Sequence, residues 1–249
     1  MLGGPVPSRI AGGEAGPLSY RGAQGSEPVT AAEYTRSVED YLKAIYALSE
    51  ASGSTTTSSV ADHLAVARAS VSAMVRRLAQ QRLVAHKPYR GLRLTPEGRA
   101  VALRLVRRHR VLEAYLVKAL GYTWDRVHDE AERLEHSASD DLIDRMATAI
   151  GEPTVDPHGA PIPTARGTIA APASRTLGEL AVGERARIAR VEDDDAELLR
   201  YLASLRLVPG AIIHYLGQEP FGGSLAVRVG SRTHRLAPSL ADRVFVGRP

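Results

Sequence analysis

The chain has 249 residues, enough for two or three small domains, each with its own hydrophobic core. It contains no cysteine, which excludes disulfides, thiolate metal ligands and a cysteine nucleophile. No apolar stretch approaches the roughly 20 residues that cross a bilayer, and the N-terminus has no signal-peptide pattern. We therefore expect a cytoplasmic protein that makes no membrane contact.

The net charge of +4 is unevenly distributed along the chain. Residues 55–110 contain twelve Lys and Arg against two acidic residues, a net charge of +10. Residues 111–160 contain four against eleven, a net charge of −7. A basic block followed by an acidic block is typical of a polyanion-binding module joined to a cation-binding module.

The N-terminal third contains the pattern of a helix-turn-helix. Residues 1–33, rich in Gly, Pro and Ser, are predicted to form a disordered tail. The spacing of apolar residues predicts a first helix over residues 34–50. A short helix over residues 58–65, a tight turn and a second helix over residues 70–82, with Ser70 as its N-cap, follow.

A basic hairpin comes next and acts as a wing. Its predicted strands are residues 83–85 and 92–94, and its turn is residues 88–91. Thr95 is the predicted N-cap of a long helix that reaches about residue 119. This order of elements indicates a winged helix-turn-helix.

The second helix of such a unit enters the major groove of DNA, and wing residues contact phosphates. Small residues at the leading end of the helix allow close approach to base edges, and Arg and Ser can hydrogen-bond bases or phosphates. Some helix-turn-helix folds bind proteins instead, but the +10 block favours double-stranded DNA. The predicted contact residues are Arg68, Ala69, Ser70, Ser72, Ala73, Arg76 and Arg77 in the helix, and Lys87, Tyr89 and Arg90 in the wing.

Further helices are predicted over residues 124–137 and 139–150. On the first of them, four residues fall within an arc of roughly 100°: His128, Glu132, Glu135 and His136. Two imidazoles and two carboxylates on one face indicate a divalent metal site. The alternative is an acidic helix face that is simply solvated.

Three residues elsewhere could join this face. His109 and Glu113 lie four residues apart on the preceding helix, although His109 can also be one more basic residue of its Arg-rich run. Asp40 can be either a ligand or the last residue of a capping box that begins at Ser37.

The donor atoms of all these candidates are nitrogen and oxygen. Such ligands favour Mn²⁺ over softer metals, although Zn²⁺ and Cu²⁺ bind most such sites more strongly. A hydrolytic zinc site is disfavoured because the chain has no His-Glu-x-x-His motif. A di-iron site is disfavoured because paired Glu-x-x-His motifs are missing.

The whole chain is predicted to consist of five segments. Prolines predict a linker over residues 153–174, and alternating short apolar runs predict a small β-barrel with one helix near residues 195–205. The predicted segments are the tail (1–33), a winged-helix domain (34–105), a helical metal-binding domain (106–152), the linker (153–174) and a β-domain (175–249).

These motifs, in this order, resemble the diphtheria-toxin-repressor family of metalloregulators over residues 36–165. The resemblance is carried by Glu39-Asp40-Tyr41-Leu42, Arg108-His109-Arg110-x-x-Glu113, the run from Val127 to Asp140, and Asp156-Pro157-His158-Gly159. It implies an α+β fold with an N-terminal winged helix-turn-helix, a helical metal-binding and dimerisation domain, and a C-terminal SH3-like (FeoA-like) β-barrel.

The resemblance also implies a metal-loaded homodimer that binds palindromic operators in double-stranded DNA. It places Asp40, Glu132, Glu135 and His136 in a primary, activating metal site. It places His109, Glu113 and His128 in an ancillary site, which Glu192 and Asp195 of the third domain would complete. We expect the dimer interface around residues 111–120 and 139–150, with Leu142, Ile143, Met146 and Ile150, unless these residues form the core of one chain.

Departures from the family pattern indicate the metal. Iron-sensing members carry Met and Cys where this chain has Asp40 and Glu132, so the chain resembles the manganese-responsive, three-domain branch. Two-domain manganese regulators have Glu at the position of Lys43, so their closely spaced pair of metals is not expected here.

The implied function is a manganese-dependent repressor of metal-uptake genes, with Mn²⁺ as cofactor. The nearest alternative is a repressor that senses Fe²⁺. Two others are a winged-helix regulator gated by another ligand and a metal-dependent hydrolase with an accessory helix-turn-helix, for which the sequence offers no catalytic motif.

Overall fold

The computed structural model describes residues 34–52, 55–87, 91–192 and 195–249. The predicted tail and the wing residues Tyr89 and Arg90 lie outside the described residues, and the side chain of Lys87 is not described. The N-terminal elements are α1 (Arg36–Ser52), α2 (Thr57–His63), α3 (Arg68–Gln80), β1 (Val84–Lys87), β2 (Gly91–Leu94) and α4 (Pro96–Leu120).

These elements form the predicted winged helix-turn-helix. Strands β1 and β2 pair antiparallel, and the helices pack around one core because each presents an apolar face to it. Fully buried members of that core include Leu42 and Ile45 of α1, Val71 and Leu78 of α3, and Leu92 of β2.

Two local predictions are wrong. Helix α3 begins at Arg68 and its N-cap is Ala67, which makes no side-chain capping bond, so Ser70 lies inside the first turn. The chain reverses early because Ala65 adopts a left-handed φ of 52°. In α1 the backbone N–H groups of Val38 and Glu39 donate to the carbonyl of Thr35, so the helix starts before the expected capping box.

Helix α4 runs 25 residues without a break, from the predicted cap at Thr95, whose hydroxyl accepts from the Gly98 N–H. It packs against α1 and also against α5 (Val127–Leu134) and α6 (Asp140–Ala149). The domain boundary expected after residue 105 falls within this helix, and it stays a prediction.

The core between α4, α5 and α6 contains two residues expected at the dimer interface. Ile143 and Ile150 are almost fully buried within the chain, so the alternative of an intrachain core is correct for them. Leu142 points outward and is 42% exposed.

The C-terminal part is a five-stranded antiparallel sheet in the order β6-β5-β4-β3-β7. Its elements are β3 (Arg185–Val191), α7 (Ala196–Ser204), β4 (Ile212–Gln218), β5 (Leu225–Val229), β6 (Arg232–Leu236), α8 (Pro238–Ala241) and β7 (Val244–Gly247). Bulges in β3 and β4 bend the sheet around a core that also includes α7. The predicted α+β class is confirmed. Among the described helices, none is long and apolar enough to cross a membrane.

Candidate metal centre

Carboxylates and imidazoles from α1, α4, α5 and the segment after α6 converge in the helical part of the molecule. They form three groups, and within each group one ligand atom from every residue lies within 4.8 Å of the others. We call them the primary cluster (Asp40, Glu135, His136), the middle cluster (His109, His128, Glu132) and the buried cluster (Glu113, Asp156, His158).

The primary cluster joins α1 to the end of α5. His136 Nε2 lies 2.9 Å from Asp40 Oδ1 and 3.4 Å from Glu135 Oε1, and Glu135 is fully buried. Burial raises the pKa of Asp40, although the charge of His136 opposes the shift. Asp40 therefore lies in the cluster, and its role as a ligand stays a prediction. The capping interpretation is wrong, because α1 already begins at Arg36.

The other nitrogen of His136 shows which atom faces the cluster. Nδ1 lies 2.8 Å from Glu39 Oε2 and can donate to that carboxylate. Nε2 then faces Asp40 and Glu135. A protonated Nε2 forms an ion pair with Asp40, whereas a neutral imidazole presents its lone pair there and could bind a metal together with Asp40. The sequence indicated no role for Glu39.

The middle cluster connects the other two. His109 on α4 contacts Glu135 Oε2 through Nδ1 at 2.6 Å and Glu113 Oε1 through Nε2 at 3.1 Å. Burial and the charge of Lys43 lower the pKa of His109, but the hydrogen bonds of Glu113 and Glu135 outweigh them and raise it to about 9. A protonated imidazole must lose its proton before it can ligate a metal.

Glu132, the carboxylate of the middle cluster, also contacts a lysine of α1. Lys43 Nζ lies 2.5 Å from Glu132 Oε1 and 2.9 Å from each oxygen of Glu135. His128 Nε2 is 4.0 Å from the same Glu132 oxygen. All four ligands predicted for residues 128–136 therefore lie in the clusters, but His128 and Glu132 are in a different group from Glu135 and His136.

The buried cluster is the most enclosed of the three. Glu113 and His158 are completely buried, Asp156 is 4% exposed, and Glu113 Oε1 lies 3.7 Å from His158 Nδ1. Burial raises the pKa of Glu113, but hydrogen bonds from three histidines outweigh it and hold that pKa well below its usual range. Glu113 Oε2 is buried and has no hydrogen-bond partner among the described residues, which fits an oxygen that ligates a metal.

Sequence reasoning did not identify Asp156 and His158 as ligands. Both lie in the predicted proline-rich linker, where no periodicity links them to Glu113 on α4. The available signal was the Asp-Pro-His-Gly run itself, in which an acid and an imidazole flank a turn.

The loop of residues 156–160 joins the helical part to the β-domain. His158 Nε2 contacts the Trp124 carbonyl at 2.7 Å, and the His158 carbonyl accepts from the Val191 N–H at 2.9 Å. Gly159 has a φ of 89°, and a Cβ atom there would lie 1.9 Å from the Ala189 carbonyl oxygen. The close approach of the loop to β3 thus requires glycine.

Two residues expected to complete the ancillary site lie elsewhere. Glu192 accepts a hydrogen bond from Arg243 at 2.6 Å. Asp195 is the N-cap of α7, accepting from the backbone N–H groups of Glu197 and Leu198 at 2.9 and 3.0 Å. Neither residue belongs to the three clusters, because each is held by a partner of its own within the β-domain.

The predicted DNA-contacting residues lie on the outer side of α3. Six of the seven are exposed, and Ser72 is half-buried with its hydroxyl bound to the Arg68 carbonyl at 3.0 Å. The buried residues Val71, Val75 and Leu78 hold the opposite side against the core. The arrangement presents a basic helix to solvent.

Three family models match the chain in succession. The N-terminal DNA-binding domain of iron-dependent repressors matches residues 33–92, their metal-binding and dimerisation domain matches residues 95–164, and the FeoA domain matches residues 175–248. The iron-dependent repressor IdeR of Mycobacterium leprae is 32% identical over 221 residues, covering 84% of this chain and 95% of the relative.

The chain is also similar to a further curated regulator and to solved repressor structures. The transcriptional regulator MntR of Bacillus pumilus is 39% identical over 116 residues, covering 47% of this chain and 80% of MntR. A solved manganese-dependent transcriptional repressor in complex with manganese has a TM-score of 0.80 and 39% identity, covering 85% of this chain and all of the other. The crystal structure of T. acidophilum IdeR has a TM-score of 0.71 and 29% identity, covering 88% of this chain and all of that one.

Proposed function

Since the chain belongs to the iron-dependent repressor family, whose members are metal-dependent transcriptional repressors and not enzymes, we propose that this repressor responds to Mn²⁺. We further propose that it acts as a homodimer on palindromic operators of metal-uptake genes in the cytoplasm. Metal-dependent repression is the activity of the family; the metal, the operator and the genes belong to the proposal.

The observation that carries the manganese proposal is the donor set of the primary cluster. The primary cluster, formed by Asp40, Glu135 and His136, supplies oxygen and nitrogen only. Glu132 is connected to it by Lys43, which contacts both Glu132 and Glu135. The chain has no cysteine, so no thiolate can contribute. Carboxylates and an imidazole suit Mn²⁺ better than they suit softer ions. The similar proteins include a manganese-dependent repressor and an iron-dependent repressor, so Fe²⁺ is the competing assignment.

The connection from metal to DNA runs through α1. Asp40 is on α1, whose Leu42 and Ile45 pack in the same core as Val71 of α3. A divalent cation in the primary cluster would neutralise its carboxylates and tie α1 to the end of α5. With α1 held, the orientation of α3 is held, and in a dimer the two α3 helices can match half-sites about 34 Å apart.

The dimer proposal concerns the outer side of α6. Leu142 is 42% exposed there, and Met146 is half-buried beside it. Leu120 at the end of α4 is 60% exposed. We propose that these residues, and not Ile143 or Ile150, contribute to the interface between two copies.

The test is selection of DNA from a random pool by the purified protein at fixed salt, with Mn²⁺, with Fe²⁺ under anaerobic conditions, or with chelator. We expect a palindrome to be enriched with Mn²⁺ alone. Equal enrichment with Fe²⁺ would favour iron sensing, and enrichment that survives chelator would contradict metal gating.

Two variants test whether metal-dependent DNA binding requires the primary cluster. Asp40→Ala should abolish enrichment with Mn²⁺, since α1 then has no ligand in the primary cluster. Glu130→Gln is the matched control, because Glu130 lies on α5 but pairs with Arg133 on the exposed side. It should enrich the same palindrome as the unmodified protein.

A further inference from the structure

Lys43 lies within the set of candidate metal ligands. It is on α1, three residues after Asp40 and therefore on the same face of the helix. Its ammonium lies 2.5 Å from Glu132 Oε1, 2.9 Å from both oxygens of Glu135 and 3.3 Å from His109 Nδ1. The side chain is 21% exposed, whereas that of Glu135 is fully buried.

The position of the ammonium suits a positive charge. A lysine side chain is ordinarily protonated at neutral pH, and here three carboxylate oxygens surround it. Arg36 also lies near the primary cluster, but it is 65% exposed and its distance to Asp40 is 3.9 Å. Among the described Lys and Arg side chains, Lys43 contacts both Glu132 and Glu135.

Glu135 is the carboxylate that the clusters share. Its Oε1 faces His136 at 3.4 Å, and its Oε2 faces His109 at 2.6 Å. Lys43 contacts both oxygens, so a divalent ion that ligates Glu135 is either repelled by the ammonium or must displace it. The same holds for an ion that ligates Glu132.

We propose that Lys43 is a tethered counter-ion that competes with the metal for Glu132 and Glu135. It neutralises these carboxylates in the metal-free protein, sets the metal concentration at which the primary cluster fills, and stops Glu135 from binding two divalent ions at once. This inference depends on the proposed function, because it assumes that the primary cluster binds the activating metal.

A purely structural ion pair leads to a different expectation. If Lys43 only stabilised the fold, its removal would lower the melting temperature and leave metal affinity and stoichiometry unchanged. If Lys43 competes with metal, removal leaves uncompensated carboxylates, and the affinity for a divalent cation rises.

The test compares Lys43→Gln with the unmodified chain, using Mn²⁺ and metal-stripped protein in equilibrium dialysis. We expect Mn²⁺ to bind at least about tenfold more tightly to Lys43→Gln, since a nearby positive charge has been removed, and an additional equivalent to bind per chain. The rise in melting temperature on adding Mn²⁺ should also be larger. Equal or weaker binding with unchanged stoichiometry would overturn the inference.

Two further variants complete the design. Lys118→Gln removes the same charge from a lysine that contacts the Ile150 carbonyl, and its Mn²⁺ binding should match that of the unmodified chain. Lys43→Arg keeps the charge, so it should bind Mn²⁺ no more tightly than the unmodified chain, even if Lys43→Gln does not fold. Tighter binding by Lys43→Arg would refute competition by charge. Failure of the unmodified chain to bind Mn²⁺ would refute the proposed function itself.

Discussion

The primary and buried clusters contain the same chemical groups but lie in different surroundings. In the primary cluster the Asp40 side chain is 34% exposed, the residues come from α1 and from the turn after α5, and Lys43 contacts Glu135. The buried cluster is enclosed on all sides and includes a loop bonded to β3. The contrast teaches that similar ligand sets can serve two purposes: the accessible one suits reversible occupancy, and the enclosed one suits a permanent joint between domains.

The largest expected effect concerns the carboxylate at the centre of the buried cluster. Glu113→Ala removes the acceptor that faces three histidines and leaves a protonated His109 without this partner. Breaking a buried ion pair costs about 3–5 kcal/mol, so the free energy of unfolding of the metal-free protein should fall by that amount. Urea denaturation measures it. Glu130→Ala, at an exposed pair, should change stability by less than about 0.5 kcal/mol. If Glu113→Ala lowered the free energy of unfolding by less than about 0.5 kcal/mol, the buried cluster would not stabilise the junction between the helical part and the β-domain.

The second prediction concerns the backbone of the loop of residues 156–160, which joins the helical part to the β-domain. Gly159→Ala places a Cβ atom 1.9 Å from the Ala189 carbonyl, so the loop and β3 must separate. We expect limited proteolysis to release the β-domain sooner and a destabilisation of a few kcal/mol. Gly167→Ala is the matched control, because its φ is also positive, at 76°, but nothing lies within 4 Å of the added atom. Similar proteolysis rates in the two variants would show that backbone conformation alone matters.

A smaller effect should appear in the primary cluster. Glu39→Gln weakens the hydrogen bond that orients His136, and loss of such a partner typically lowers metal affinity about 10–100-fold. Equilibrium dialysis with Mn²⁺ would measure this. Glu50→Gln alters a glutamate of the same helix that pairs with Arg99, and it should bind Mn²⁺ normally. Unchanged affinity in Glu39→Gln would mean that His136 is oriented by packing.

The smallest effect concerns the charged contact at the domain junction. Arg200 of α7 pairs with Asp125 at 3.2 Å, and its side chain is 59% exposed. Exposed pairs contribute about 0.2–1 kcal/mol, so Arg200→Ala should hardly change stability or proteolysis of the β-domain. A rate as fast as that of Gly159→Ala would show that the salt bridge, and not the loop, holds the domains together.

The sequence by itself determined the order of the elements of the winged helix, which follows from apolar spacing together with the cap at Thr95. Some local details differ from the prediction, since Ser70 is not the N-cap of α3 and α5 ends at Leu134, before Glu135 and His136. The donor atoms that the clusters offer, oxygen and nitrogen, follow from residue types. The grouping of these side chains was less predictable, because Glu132 and Glu135 fall in different clusters although Lys43 contacts both.

Tertiary structure alone decided which distant segments meet. The packing of α1 and α5 against α4 brings Lys43 between two carboxylates and Glu39 to His136. The approach of the linker to β3 brings His158 to Glu113, while Arg243 draws Glu192 away from the clusters. Periodicity specifies positions only within one element. Contacts between elements depend on how their apolar faces and loops fit together, and this information is distributed over the whole chain.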